Sequence, residues 1–290
     1  MMQSLAHASA DPFWSVGMPD QAACPALATD ATCDLAIVGG GFTGLWSALK
    51  ARELWPDARI VLLEGGTCGQ AASGRTGGFC APSISHGVGN ALDRFPSEAE
   101  TLIRLGRENL IEYQRDLEYY EMDAGFELCG KLNVAATPWQ AEGLQAMARN
   151  YARFGIDCTL LSGDALKEKL DSPVYSAGLF EPNYALIHPG KTVSELRRIC
   201  LEGGIEIFEN SKVTKISRDG EKVALTTDQA QLRAAKVILA TNAALPLLKR
   251  LTMSVIPIYD YSLVTERLTE EQWAGIGWTG SYGIADSGNQ

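Results

Sequence analysis

The sequence is short of positive charge. Its 25 Lys and Arg face 35 Asp and Glu, which leaves a net charge of −10. Nucleic acid is therefore not expected as a partner, because neutralising phosphates takes a basic surface. Long apolar runs are missing as well. No stretch approaches the ~20 residues of a membrane-spanning helix, so no membrane span is expected. Residues 1–15 have neither a basic region nor an apolar run and do not read as a secretory signal. Histidine is scarce, at three residues. The seven cysteines (Cys24, Cys33, Cys68, Cys80, Cys129, Cys158 and Cys200) contain no C-x-x-C pair. Neither a zinc site nor a disulfide framework is expected; the reading is reduced thiols, no metal and a cytoplasmic location.

What remains is globular composition, long enough at 290 residues for one or two cored domains. Residues 34–38 are a short apolar run that ends in three glycines, which predicts a buried strand entering a turn. Helical spacing follows over 42–54 and stops at Pro56. A second buried strand is predicted over 59–63. Residues 65–90 are Gly-rich and read as a long loop, a type of segment that is usually functional or disordered. Helices are expected over 97–121, 138–154, 162–170 and 189–203, the last opening at Pro189 and ending before Gly203 and Gly204. Strands are expected within 126–136, at 205–208, at 213–217, 223–227 and 231–233 around an Asp219-Gly220 turn, at 237–240, and at 255–258 and 261–265. A short helix is expected near 269–274. The first 30 residues read either as an extended arm anchored by Phe13 and Trp14 or as a loose leader.

The chemistry sits in Gly39-x-Gly41-x-x-Gly44, between the first strand and the first helix. Gly39 permits the tight turn, Gly41 lets backbone approach a pyrophosphate, and Gly44 lets helix and strand pack closely. The amides of Phe42, Thr43 and Gly44 begin a helix whose unpaired N–H groups and dipole favour phosphate. Glu64 follows 20 residues after Gly44, at the end of the second strand. An acid there accepts hydrogen bonds from ribose hydroxyls and would repel the 2′-phosphate of NADP. The motif alone does not separate NAD from FAD.

The stretch Asp34-Leu-Ala-Ile-Val-Gly-Gly-Gly-Phe-Thr-Gly-Leu-Trp-Ser-Ala, the pair Leu63-Glu64 and the stretch Ala72-Ser-Gly-Arg-Thr-Gly-Gly78 together resemble the D-amino-acid oxidase-like FAD oxidoreductases. Within them the chain is most similar to the γ-glutamylputrescine oxidoreductase and glycine/sarcosine oxidase branch. The resemblance implies an α/β fold: a Rossmann-like FAD-binding domain with an interleaved α+β substrate domain. It assigns residues 1–90 and 188–250 to FAD binding, and 91–187 and 251–290 to an incomplete substrate domain. It implies FAD contacts from Ser73, Gly74, Arg75, Thr76, Gly77 and Gly78, from the backbone near Val213, and from Thr241 and Asn242. It also implies that family members continue past residue 290, so that a fragment, a truncated product or a shortened version is in hand.

The activity implied is oxidation of the C–N bond of a small amine or amino acid by hydride transfer to flavin. The products would be an imine and, with dioxygen as a partner, hydrogen peroxide. The alternatives are an NAD-dependent dehydrogenase and a truncated, non-catalytic nucleotide-binding fragment. No dedicated catalytic triad is needed or found. His86, Tyr259 and Tyr261 are the candidates near a substrate, weighed against ordinary structural roles. Cys68 and Cys80 flank the Gly-rich loop, but a covalent flavin bond is not expected.

Overall fold

A computed structural model describes residues 12–19, 21–244, 246–258 and 262–288. Along the chain the strands are β1 (Ala31–Val38), β2 (Ile60–Leu63), β3 (Phe79–Cys80), β4 (Lys131–Ala135), β5 (Thr159–Ser162), β6 (Ala177–Glu181), β7 (Ala185–Leu186), β8 (Glu206–Phe208), β9 (Lys215–Asp219), β10 (Lys222–Thr226), β11 (Gln231–Leu239) and β12 (Gly283–Asp286). The helices are α1 (Phe42–Leu54), α2 (Val88–Arg94), α3 (Ala99–Tyr119), α4 (Pro138–Arg153), α5 (Gly163–Lys167), α6 (Pro189–Glu202) and α7 (Glu270–Ile276). Two compact units result. One comprises Met1–Gly77, Met122–Ala124 and His188–Ser262; the other comprises Gly78–Glu121, Gly125–Ile187 and Leu263–Gln290. The chain thus leaves the first unit at Gly77 and finally at Ser262, whereas the sequence reading put those changes at 90 and 250.

In the first unit the sheet order is β8-β2-β1-β11-β10-β9. The strands β8, β2, β1 and β11 run parallel, with Leu35 opposite Ile60 and Val38 opposite both Leu63 and Leu239. Strands covered on both faces read as unbroken apolar runs, and every residue of β2 is buried. Helix α1 packs on β1, β2 and α6 through Gly44, Leu45, Ala48, Leu49 and Ala51. Its small residues allow that close approach. On α6, Pro189 takes the first helical position, and His188 precedes it in the extended conformation that proline demands.

The second unit carries the sheet β12-β4-β6-β5. Ala135 and Leu179 pack with Leu144 and Tyr151 of α4, while Leu132 and Val134 pack with Leu166, Leu170 and Tyr282. Helix α4 begins in a capping box between Thr137 and Gln140. Helix α3 buries Ile103, Leu110 and Leu117 at seven-residue intervals, which is one face of a helix.

The structure corrects several expectations. The strands read at 231–233 and 237–240 are one, β11. The exposed Ala235 and Lys236 break the apolar pattern, but the strand stays bonded to β1 across them. The loop at 65–90 holds a 3-10 turn at Ala72–Arg75, then β3 and α2. Within 126–136 only β4 is a strand, preceded by one bridge from Glu127 to Leu186. Residues 255–258 and 262–265 are not strands. Among the described residues nothing pairs with them, and Ile256, Ile258 and Leu263 are almost fully exposed; apolar character makes a strand only where a neighbour completes the ladder. Tyr259 and Tyr261 lie outside the described residues. Strands β5, β6, β7 and β12 were not anticipated. Trp14 is the anchor of the arm: its Nε1 donates to Thr76 O at 2.7 Å and its ring meets His188 edge-on at 4.9 Å. Phe13 stays half exposed.

Candidate nucleotide-binding site

The site is built where β1 ends. Gly39 has a φ of +114°, and a Cβ on it would lie 2.4 Å from Ala240 O. Only glycine permits both the turn and the neighbouring end of β11. At Gly44 a Cβ would lie 1.8 Å from Gly39 O, so the helix can start this close to the strand only without a side chain there. At Gly41 a Cβ would meet Ser73 Oγ at 2.7 Å. Ser73 Oγ in turn accepts from Phe42 N–H at 2.9 Å, at the N-terminus of α1. The first turn of α1 carries no acid that would compete with a phosphate, and its leading N–H groups have no partners inside the helix.

Glu64 closes the other side. Its Oε2 accepts from Gly40 N–H at 2.6 Å and its Oε1 from Gly66 N–H at 2.8 Å. Each oxygen keeps a lone pair for a further donor. Gly40 was only an unspecified position between the motif glycines in the sequence reading. The structure makes it a holder of the acid, with a Cβ excluded by Cys68 Sγ at 2.7 Å. The run of three glycines was the available signal.

The structure brings Gly39, Gly41, Phe42, Thr43, Gly44, Glu64, Ser73 and Gly74 together, with Gly74 N–H donating to Gly69 O at 3.0 Å. Thr241 joins them, because Ala240 N–H donates to Val38 O at 2.8 Å and carries the end of β11 alongside Gly39. Asn242 follows, exposed and with φ +46°. Val213 is buried in the core of the first unit. Arg75 is exposed and donates from Nε to its own loop at Gln70 O, 2.9 Å. Thr76 holds Trp14 through its carbonyl, and Gly77 is exposed. Gly78 belongs to the second unit, where its carbonyl accepts from Ile187 N–H at 2.8 Å. His86, also in that unit, is exposed on a left-handed backbone (φ +60°).

A cavity of about 340 Å³ lies beside the loop, between Trp14 and Met18 of the arm, Cys68 and Gln70, and Ser194 and Arg197 of α6. Gly69 and Gly74 line it, whereas Gly39, Gly41, Gly44 and Glu64 do not. All seven cysteines are free. Burial pushes the Cys80 thiol up to about 11 and the Cys68 thiol upward as well, which keeps both protonated at neutral pH.

The family model "FAD dependent oxidoreductase" (DAO) matches residues 34–288. The γ-glutamylputrescine oxidoreductase of Escherichia coli K12 is 31% identical over 252 residues, covering 83% of this chain and 56% of its own. A probable oxidoreductase, OrdL, of Haemophilus influenzae is 26% identical, with coverage of 85% and 58%. The chain spans little more than half the length of these relatives. Among solved structures, glycine oxidase from Geobacillus kaustophilus superposes with a TM-score of 0.60 at 20% identity, over 73% of this chain and 56% of that one. This likeness shows the fold.

Proposed function

The chain belongs to the DAO family of FAD-dependent oxidoreductases, and from that premise we propose that it oxidises the C–N bond of a small amine or amino acid. The carrying observation is the glycine turn with Glu64. Without a Cβ, Gly41 lets the Ser73 hydroxyl sit at the N-terminus of α1, where the pyrophosphate would bind, and the acid is held by Gly40 and Gly66 where a ribose would sit. FAD fits this donor set: the amides at the start of α1 and the Ser73 hydroxyl for the phosphates, Glu64 for the ribose, and the peptides near Val213 and Thr241 for the rest. When bound, FAD supplies a hydride acceptor, so that the amine becomes an imine that water hydrolyses.

The residues of this chain have the tasks of holding and orienting. Glu64 fixes the adenosine end, and Ser73 places a hydroxyl at the helix N-terminus. No side chain need carry a proton for the hydride step. Relatives named for oxidation of an amine and of glycine support the substrate class. We assign dioxygen as the acceptor, hydrogen peroxide as the product and the cytoplasm as the location on the same reading. A narrower reading of the same site is a nucleotide-binding module without turnover.

A spectrum tests these readings. The purified chain, given FAD and passed through a desalting column, keeps the flavin bands. Anaerobic addition of γ-glutamylputrescine, glycine or sarcosine then bleaches them, and air restores them with release of peroxide. Retained colour that no amine bleaches supports the narrower reading. Colour lost on the column sinks the FAD assignment.

A further inference from the structure

Glu209 follows β8 directly and is only 2% exposed. A carboxylate so deeply buried must be compensated. Its Oε1 accepts from Cys68 N–H at 2.8 Å. Its Oε2 accepts from Cys24 N–H at 2.7 Å and from Arg197 Nη2 at 3.2 Å. Burial alone would raise its pKa, but the two amides and the guanidinium outweigh burial and hold it below the ordinary 4.5. The group is a charged acceptor at neutral pH.

Its partners lead directly to the glycine turn. Next to Cys68, Gly69 N–H donates to Gly40 O at 3.0 Å, and Gly40 N–H donates to Glu64. The residues after Glu209 grip the same strap from its other end: Asn210 N–H donates to Gly66 O at 2.8 Å and Ser211 N–H to Glu64 O at 2.7 Å. Asn210 adopts a left-handed φ of +50° to do so. The segment from Glu64 to Gly69 is held by these hydrogen bonds and by the packing of Gly69 on Val193 and of Cys68 on Gly40. Arg197 extends the network to the arm through Ala22 O at 2.7 Å.

We propose that Glu209 is a positioning residue for the nucleotide site, acting through the amides of Cys68 and Gly69 to hold Gly40 and the ribose acid Glu64 in place. The proposal rests on the reading of this site as the FAD site. Glu209 touches no cofactor and no substrate; its effect is on the geometry of Gly40 and Glu64. Arg197 keeps the buried charge compensated, and the arm is tied into the same carboxylate.

The test is binding of FAD and of ADP to the apoprotein by titration calorimetry, with thermal unfolding of each apoprotein alongside. Glu209→Gln keeps one acceptor oxygen and sets an NH2 either against Cys68 N–H or against the pair Cys24 N–H and Arg197. Its Kd for FAD and for ADP is expected to rise together, by roughly tenfold. Glu209→Asp keeps the charge for Arg197 but withdraws the carboxylate by one bond, so its Kd should fall between those of the wild type and the Gln variant. This graded return is something a merely destabilised protein would not show. A folded Gln variant that binds both nucleotides like the wild type overturns the proposal; if that variant does not fold, an Asp variant that binds like the wild type overturns it. A wild-type chain that binds neither FAD nor ADP overturns the reading of the site itself, and is distinguished by appearing before any substitution.

Discussion

Gly40 N–H donates to Glu64 Oε2 at 2.6 Å, so the turn and the acid that follow two different strands are one hydrogen-bonded unit. The carboxylate is oriented before a ligand arrives. Glu64→Gln keeps the size but replaces one acceptor oxygen with an NH2 group facing either Gly40 or Gly66. Loss of a charge-assisted hydrogen bond costs about 1.5–3 kcal/mol. The Kd for FAD should therefore rise by about one to two orders of magnitude, read by flavin fluorescence during titration. An unchanged Kd would mean that the acid does not face the ribose.

Two glycine substitutions should move stability in opposite directions. Gly44→Ala places a Cβ 1.8 Å from Gly39 O, which is backbone and cannot swing away. The cost should be about 3 kcal/mol or more, at the upper end of overpacking penalties. Gly143 is exposed within α4 with nothing near its Cβ position. Gly143→Ala should stabilise by about 1 kcal/mol through helix propensity alone. Urea unfolding of both variants checks the pair, and a harmless Gly44→Ala would contradict the close packing of α1 on β1.

How much of this was legible in the sequence depends on where the signal is local. The unit from β1 to β2 was readable because both strands are buried on both faces and the glycines sit at fixed offsets. Gly39, Gly41, Gly44 and Glu64 came together accordingly. Strands β6 and β12 were not readable, because each takes its identity from a distant partner: β6 from β4 and β5, β12 from β4. The opposite error occurred at 255–258, where apolar residues suggested a strand and no partner pairs with them among the described residues. Glu209 was missed for a related reason. A single Glu after a short strand carries no pattern, and its importance comes from Cys24, Cys68 and Arg197, which lie far apart in the chain.

His188 makes the start of α6 sensitive to pH. Its Nδ1 accepts from Lys191 N–H at 3.1 Å, which only the unprotonated ring nitrogen can do. Burial holds its pKa below the ordinary 6.5. Between the folded value and 6.5 the unfolded chain therefore binds the extra proton first. The contribution is complete above pH 6.5 and is lost as the pH falls through that window. His188→Asn offers a cap that does not titrate. The stability difference between wild type and this variant, from urea unfolding at pH 7.5 and 5.5, should shift against the wild type at the lower pH. His188→Ala should cost about 1 kcal/mol at pH 7.5, as loss of a helix cap does.

The flavin should be held without a covalent bond. Sulfur attaches to a flavin ring as the thiolate, and the two cysteines flanking the loop are poorly placed to form one. Burial raises Cys80 to about 11, with no counter-charge contributing. Burial also raises Cys68, and the negative Glu209 beside it adds to the effect. Cys200 is buried and pushed up to about 12, and Cys33 likewise, so none of these is a competing nucleophile at neutral pH. Acid precipitation of the FAD-loaded protein should leave all of the yellow colour in the supernatant and a colourless pellet. Burial predicts slow reaction of Cys33 and Cys200 with an aromatic disulfide reagent in the native protein and prompt release of seven equivalents on unfolding, since all seven cysteines are free. A coloured pellet with six reactive thiols would instead assign one cysteine to the flavin, and Cys80 and Cys68 would be the first two to replace.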